Sequence, residues 1–277
     1  MIWVLSFFSH VYGNPEYSTP LGGRSAAMGN ASVTLNDFWS VCNNQAGLAF
    51  YKNIAAGFYY ENRFMVKDLS MRVGAFVLPT GSGVFGLNYN YFGYSQYNQQ
   101  KIGLAYARSF GDRFSAGIQL DYLSTRIAQD YGSSHAFTFE IGVQSEIVEN
   151  LFVAAHIFNP VQVKLEDENN ERIPAVVRFG VSYSVSKDLI IAIETEKDTD
   201  FKPLIRGGLE YTIVKEAIVR IGYSTLPATV GSENFSIASL YTFGFGLKLN
   251  KFHLDLSSSV HQTLGWSPQV SIIFNFK

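Results

Sequence analysis

Five histidines, one cysteine and one acidic run are the groups in this chain that could hold a metal or carry a reaction. His10, His135, His156, His253 and His261 show neither His-x-His nor His-x-x-x-His spacing, the patterns that bring two imidazoles onto one ion. His156 and His253 fall inside segments of alternating polarity, where a lone imidazole reads as a structural residue. The stretch "KLEDENNER", residues 164–172, gathers Glu166, Asp167, Glu168 and Glu171. Those carboxylates could bind a divalent cation, but the glycine and spacing of a calcium loop are missing, so a solvated loop is the better reading. There is no Gly-x-Ser-x-Gly elbow and no glycine-rich phosphate loop. Cys42, as the only cysteine, excludes an internal disulfide and has no histidine near it in sequence. No catalytic residue, metal or cofactor is proposed by these patterns, and the chain reads as a non-enzyme.

The remaining chemistry is charge spaced along alternating segments. In "RFSAGIQLDYLS", residues 113–124, the apolar set Phe114, Ala116, Ile118, Leu120 and Tyr122 alternates with Ser115, Gly117, Gln119 and Asp121. Period two means a strand with one apolar and one polar face. The same parity puts Arg72, Asp121, Glu140, Arg178, Glu194, Arg206, Glu210, Arg220, Lys248 and Asp255 on polar strand faces. Cross-strand neighbours among them can pair, Glu194 with Arg206 or Arg178 and Glu210 with Arg220. Phe76, Phe152, Phe158 and Ile190 fall on inward registers and could line an apolar pocket beside these charges.

About fourteen such segments follow residue 52, with no proline expected in a strand interior. Their connections alternate between short ("PTGSG", "FGDR", "VEN", "SKD", "VKEA", "LNKF") and long ("GYSQYNQQ", "RIAQDYGSSH", "NPVQVKLEDENNERIP", "EKDTDFKP", "LPATVGSENF", "HQTLGW"). Tight turns at one end and longer loops at the other are the arrangement of an outer-membrane barrel, whose apolar faces meet lipid and whose polar faces fill the lumen. The expected fold is therefore all-β, an up-and-down antiparallel transmembrane barrel of about fourteen strands. Composition agrees: 277 residues, 15% aromatic, 24 Gly and only 8 Pro. No run of eighteen uncharged apolar residues follows the N-terminus, which excludes a helical bundle in the membrane. A net charge of -2 argues against a nucleic-acid partner.

Residues 1–13 read as a signal peptide or its remnant, although the usual basic residue is missing; a buried N-terminal strand is the other reading. Residues 14–52 do not alternate and read as a segment tucked into the lumen as a plug, with 53–277 forming the barrel. Within that segment Gly23-Arg24-Ser25-Ala26-Ala27-Met28-Gly29 and Asn44-Gln45-Ala46-Gly47-Leu48 stand out, with a short helical piece around 37–43. These two motifs resemble the start of the fourteen-stranded barrels related to the fatty-acid transporter FadL, particularly the PorV/PorQ type associated with type IX secretion. Gln45 stands where that pattern has proline. The hairpin "IRGGLEYTIVKEAIVRIGYS", residues 205–224, is similar to a late hairpin of the same family.

The resemblance implies a bacterial outer-membrane location, contact with outer-membrane lipid, and a plug built on Gly23, Arg24, Met28, Gly29, Asn44, Ala46, Gly47 and Leu48. It implies a subunit or docking partner of a larger outer-membrane secretion complex. The alternative is a FadL-like channel for hydrophobic small molecules, which would bind a hydrophobic ligand. A nearly balanced set of lumen charges leans toward a filled interior, because a diffusion pore needs a wider barrel. A soluble β-barrel is the third reading, and it requires the apolar faces to point inward.

Overall fold

The computed structural model describes residues 16–276 except 129–131, 165–171, 200–201 and 231–233. Segment 1–13 and the acidic residues Glu166, Asp167, Glu168 and Glu171 lie outside the described residues. Fourteen strands follow one another: β1 (Ala55–Asn62), β2 (Ser70–Pro79), β3 (Val84–Gly93), β4 (Tyr97–Phe110), β5 (Phe114–Ile127), β6 (Ser133–Val148) and β7 (Leu151–Phe158). After these come β8 (Val176–Ser184), β9 (Leu189–Asp198), β10 (Leu204–Val214), β11 (Ala217–Val230), β12 (Asn234–Leu249), β13 (Phe252–His261) and β14 (Gly265–Asn275). Each pairs antiparallel with the next, and β1 closes onto β14 with Ala55 opposite Asn275. Closure removes every sheet edge at that level, which is what a bilayer demands of β structure.

Period two sets the faces as the sequence predicts on most strands. Ile118 and Leu120 point outward, while Ser115, Gln119 and Asp121 are buried in the lumen. Outward apolar side chains recur around the circumference, among them Ile193, Ile205, Ile221, Phe243 and Ile272. A barrel with this exterior is a lipid-facing barrel. Leu120, midway along β5, is 61% exposed, so a Leu120→Arg variant is expected to lose about 2–4 kcal/mol of stability, the cost of a cation facing lipid near the midplane. Urea titration in phospholipid vesicles measures it, and a loss below about 1 kcal/mol would speak against a lipid-facing position.

Three sequence expectations change. First, β2 is inverted: Met71, Val73, Ala75 and Val77 face in, whereas Arg72 and Phe76 face out. The reason is that the lumen beside β2 is apolar, and Arg72 instead lies near the rim with its guanidinium 5.5 Å from the Tyr91 ring centre. Second, several stretches expected as long loops are strand. β4 begins at Tyr97, β6 at Ser133 and β12 at Asn234, so of the long loops expected from sequence the β7–β8 connection, residues 159–175, keeps its length. Polar residues on both faces of a hairpin that projects past the bilayer look like loop in sequence. Third, Pro227 and Pro268 lie within β11 and β14. Both sit just past the end of one neighbour: β10 pairs β11 only to Ser224, and β1 pairs β14 only to Gln269. There one strand edge has no ladder to lose.

The tight turns behave as their chemistry demands. Gly111 (φ +77°) and Asn150 (φ +67°) take the left-handed conformation that lets two strands reverse in a few residues.

Candidate functional site: a filled lumen

Residues 16–50 run inside the barrel as an inner segment. It carries two short helices, α1 (Gly23–Ala27) and α2 (Ser40–Asn43), and a 3-10 stretch over Gln45–Phe50. The segment enters at the long-loop end. There Glu16 donates its backbone N–H to Gln99 Oε1 at 3.0 Å and pairs with Arg63, and the Tyr17 hydroxyl meets Thr125 Oγ1 at 2.6 Å. It leaves at the short-turn end, where the Tyr51 hydroxyl donates to Asn275 Oδ1 at 2.8 Å.

Between these ends the segment circles the wall at one level. Gly23 N–H donates to Ser271 Oγ on β14 at 3.1 Å, and Gly29 N–H to Thr242 Oγ1 on β12 at 2.9 Å. Ser32 and Val33 N–H both donate to Glu194 Oε2 on β9 at 2.7 Å. The close approach is possible because the wall carries glycine at that level. A Cβ on Gly57, Gly86, Gly117, Gly142, Gly180, Gly208, Gly222 or Gly244 would stand between 1.9 and 2.6 Å from Phe38, Val41, Gln45, Asn44, Val33, Met28, Gly29 or Ala27, respectively. Gly29 itself has φ +64° and lies against the Tyr223 and Gly207 backbones. Inward glycines at matching height on successive strands are a sequence signal for this ring, and sequence reasoning passed over it.

The lumen has two unlike halves. Along β1–β4 it is mainly apolar: Tyr59, Met71, Val73, Ala75, Val77, Val84, Phe92 and Ala107 pack against Leu21, Phe38, Trp39, Val41, Cys42 and Leu48 of the inner segment, with Glu61, Asn88, Asn90 and Lys101 buried among them. Elsewhere it is charged. Arg24 meets Glu210 through Nε–Oε2 and Nη2–Oε1, both 2.7 Å, and Asp37 Oδ2 at 3.1 Å. Glu210 also takes Arg220 Nε at 2.6 Å, and Arg220 reaches Asp255 at 2.6 Å. The result is an alternating chain, Asp37, Arg24, Glu210, Arg220, Asp255, that binds segment to wall. Burial works against the Arg24 charge, but Glu210 and Asp37 outweigh it and hold the guanidinium above its ordinary pKa. Arg206 pairs with Glu194 at 3.0 Å and Glu196 at 2.8 Å.

Arg178 does not join Glu194. Its Nη2 donates to Asn43 O at 2.7 Å and to His156 Nδ1 at 3.0 Å. Because an arginine only donates, His156 Nδ1 accepts, and Nε2 carries the proton to Glu140 Oε2 at 2.9 Å. Glu140 also takes Gln45 Nε2 at 2.7 Å and Lys101 at 2.6 Å, while Lys101 Nζ donates to Tyr17 O at 2.9 Å. Of the eight motif residues singled out by sequence, Gly23, Arg24, Met28, Gly29, Asn44, Ala46, Gly47 and Leu48, all lie in the lumen and only Arg24 is less than fully buried. Lys101, Glu196 and Asp37 were not singled out, and Gln45 entered only as a departure from a family pattern; Lys101 shares inward parity with Gly103, Ala105 and Ala107, which would have found it.

What this arrangement can do is close the barrel without a covalent bond. Beside Tyr17, Met71 and Lys101 the space left is about 10 Å³, room for one water. Among the described residues no group of three His, Cys, Asp or Glu is placed to hold a metal.

No protein-family profile matches the chain, and no curated protein does. Solved structures do. The CymD monoaromatic hydrocarbon channel superposes with a TM-score of 0.68 at 12% identity, over 93% of this chain and 98% of the channel. The Ralstonia pickettii toluene transporter TbuX gives 0.67 at 12%, over 94% and 99%. A Pseudomonas aeruginosa FadL homologue gives 0.67 at 11%, over 96% and 100%. At these identities the likeness is one of fold: a closed fourteen-stranded FadL-like barrel. That fold and the lipid-facing exterior place the chain in a bacterial outer membrane.

Proposed function

We propose that this barrel is a channel for small hydrophobic molecules, kept shut at rest by residues 16–50 acting as a plug. The observation that carries the reading is the apolar half of the lumen. It is continuous along β2, from Met71 near the loop end past Val73 and Ala75 to Val77 at the short-turn end, with Val84, Phe92 and Ala107 beside it and Asn88, Asn90 and Lys101 as its polar margin. An apolar solute meets apolar side chains along the β2 side of this seam, whereas an ion would leave its hydration there for little return. The seam is filled mainly by apolar side chains of the plug, so opening it to an apolar solute requires Val41, Trp39 and Leu48 to move away from the wall. The fold shared with a hydrocarbon channel and a toluene transporter supports the same reading.

The test is uptake of labelled toluene and of a long-chain fatty acid by cells with and without the gene. Saturable uptake that falls at least fivefold on deletion, and that falls again on Val73→Glu in the seam, is the expected result. Unchanged uptake for both compounds overturns it.

The sealed lumen favours a second reading, a closed barrel that serves as docking subunit of an outer-membrane secretion or assembly complex of the PorV/PorQ kind. The comparisons lend this no support. Mild-detergent purification from native membranes separates the two: a stoichiometric large partner favours docking, and a solitary barrel carrying apolar ligand favours transport.

A further inference from the structure

The outward strand faces carry charge of one sign. Among the described residues, the charged side chains at outward strand positions are Arg72, Arg126 and Lys197 at the loop end and Arg108 at the short-turn end. The strand carboxylates, Asp121, Glu140, Glu194 and Glu210 among them, point into the lumen. Two of the loop-end cations share one face of the barrel. Arg72 of β2 begins an outward-facing row of direct cross-strand neighbours, Tyr91, Gln100, Ser124 and His135, that runs across β3–β6. Arg126 stands two residues beyond Ser124 on β5, nearer the loops. The row one step closer to the membrane centre holds Gly74, Tyr89, Ile102, Tyr122 and Phe137, of which Phe137 is 75% exposed. Outward tyrosine and phenylalanine in such a row form the girdle where hydrocarbon gives way to headgroups. Arg72 and Arg126 therefore lie at headgroup depth in the outer leaflet.

We infer that this face binds a glycolipid of the outer leaflet whose sugar headgroup carries two phosphates. Three strand spacings separate Arg72 from Arg126, about 14 Å across the sheet, and Arg126 sits about 7 Å further from the membrane centre. A headgroup with one phosphate leaves one guanidinium without an anion. Two phosphates at the ends of a disaccharide engage both, and arginine takes each through two parallel N–H bonds. The surface between the arginines is neutral and hydrogen-bonding, as a sugar requires. There the Tyr89 hydroxyl donates to Gln100 Oε1 at 2.9 Å and the Tyr122 hydroxyl meets His135 Nδ1 at 2.8 Å, with all four side chains at least partly exposed. No described carboxylate pairs with either arginine; Arg72 Nη2 donates to Ser70 Oγ at 3.0 Å and its guanidinium lies against the Tyr91 ring. Lys67 and Asp68, exposed in the connection before β2, offset each other. Cations at this depth are drawn to an anionic leaflet. The face exists because β2 is inverted, since the apolar inner segment that takes Val73 in turns Arg72 out. The patch lies on the outside of the barrel and stands or falls apart from the channel reading.

The probes are a bisphosphorylated acylated glucosamine disaccharide, its monophosphorylated form and phosphatidylglycerol. Each is added at equal concentration to the purified full chain in detergent, and retained lipid is counted by native mass spectrometry. The wild type is expected to hold one copy of the bisphosphorylated lipid, with the monophosphorylated form and phosphatidylglycerol about fivefold weaker, the scale of one exposed charge pair. Raising the ionic strength should erode that preference. Arg72→Gln combined with Arg126→Gln should bring the bisphosphorylated lipid down to the level of the monophosphorylated one. Lys197→Gln, which removes the outward cation on β9, should change nothing. Equal retention of the three lipids by the wild type overturns the proposal, and that comparison needs no variant to fold. A preference that survives in the double variant, or that Lys197→Gln abolishes, places the lipid elsewhere and overturns it as well.

Discussion

A Gly222→Val variant is expected to drive the inner segment out of the lumen while the barrel still forms. A Cβ at Gly222 would stand 2.2 Å from Gly29 N, 2.4 Å from Met28 C and 2.6 Å from Thr242 Oγ1. Two of those atoms are backbone, and the same Met28–Gly29 turn is held from β10 by Gly208, where a Cβ would meet Met28 O at 2.5 Å. Neither side can yield by turning a rotamer, so the segment must leave. Cys42 reports the departure. Burial pushes its thiol up to about 12, which leaves almost no thiolate at pH 8. Released to water, it returns to about 8.5, and the thiolate fraction rises by at least a hundredfold. Maleimide labelling at pH 8 should therefore be slow in the wild type and fast in the variant, with single-barrel conductance in planar bilayers rising in parallel. Gly74→Val, where an added Cβ meets nothing within 4 Å, is the matched control and should change neither. Unchanged labelling and conductance in a folded Gly222→Val barrel would show that the ring of glycines does not set the fit.

Arg24→Met should destabilise the charged half by about 3–5 kcal/mol, the usual cost of removing one partner of a buried ion pair. Arg24 and Glu210 side chains are 13% and 7% exposed, so solvent screening relieves little of it. Glu210 keeps Arg220 at 2.6 Å, which points to the lower end of that range, whereas Asp37 loses the cation it pairs with among the described residues. The loss falls on the tie between segment and wall and not on the strand ladders. Hydrogen exchange should therefore speed up at amides of residues 21–48 and stay slow in β10 and β11. Arg24→Lys restores the charge but not the two-pronged contact with Glu210, and should recover part of the protection. Equal acceleration in barrel and segment would mean that Arg24 supports the wall itself.

Much of the barrel was legible because strand information is local. Alternation in 113–124 assigns Leu120 to lipid and Asp121 to the lumen without any knowledge of neighbours, and "VEN" and "LNKF" announce their turns by residue type. The strand count follows from the same reading. Where that locality fails, the errors have a shared cause. β2 carries small and apolar residues at both parities, so its phase rests on what lies inside, and an apolar inner segment draws Val73 and Val77 in and sends Arg72 out. Hairpins that project beyond the bilayer lose the one-sided polarity by which strands are recognised, which is why residues 97–100 and 133–135 read as loop.

The inner segment shows the limit most clearly. Its composition and two motifs mark it as different from the strands, and Arg24 stands out within it, but its partner Glu210 lies 186 residues further on. Nothing in the sequence near either residue connects them. Closing fourteen strands into a ring brings β10 to the height of α1, and only that closure decides that Arg24 meets Glu210, that Gln45 and Lys101 converge on Glu140, and that Arg178 turns from Glu194 to His156. The sequence by itself determined strands, faces and the presence of a filler. The tertiary structure decided which wall each part of the filler touches, because those contacts depend on barrel register, a property of all the strands together and of no single stretch.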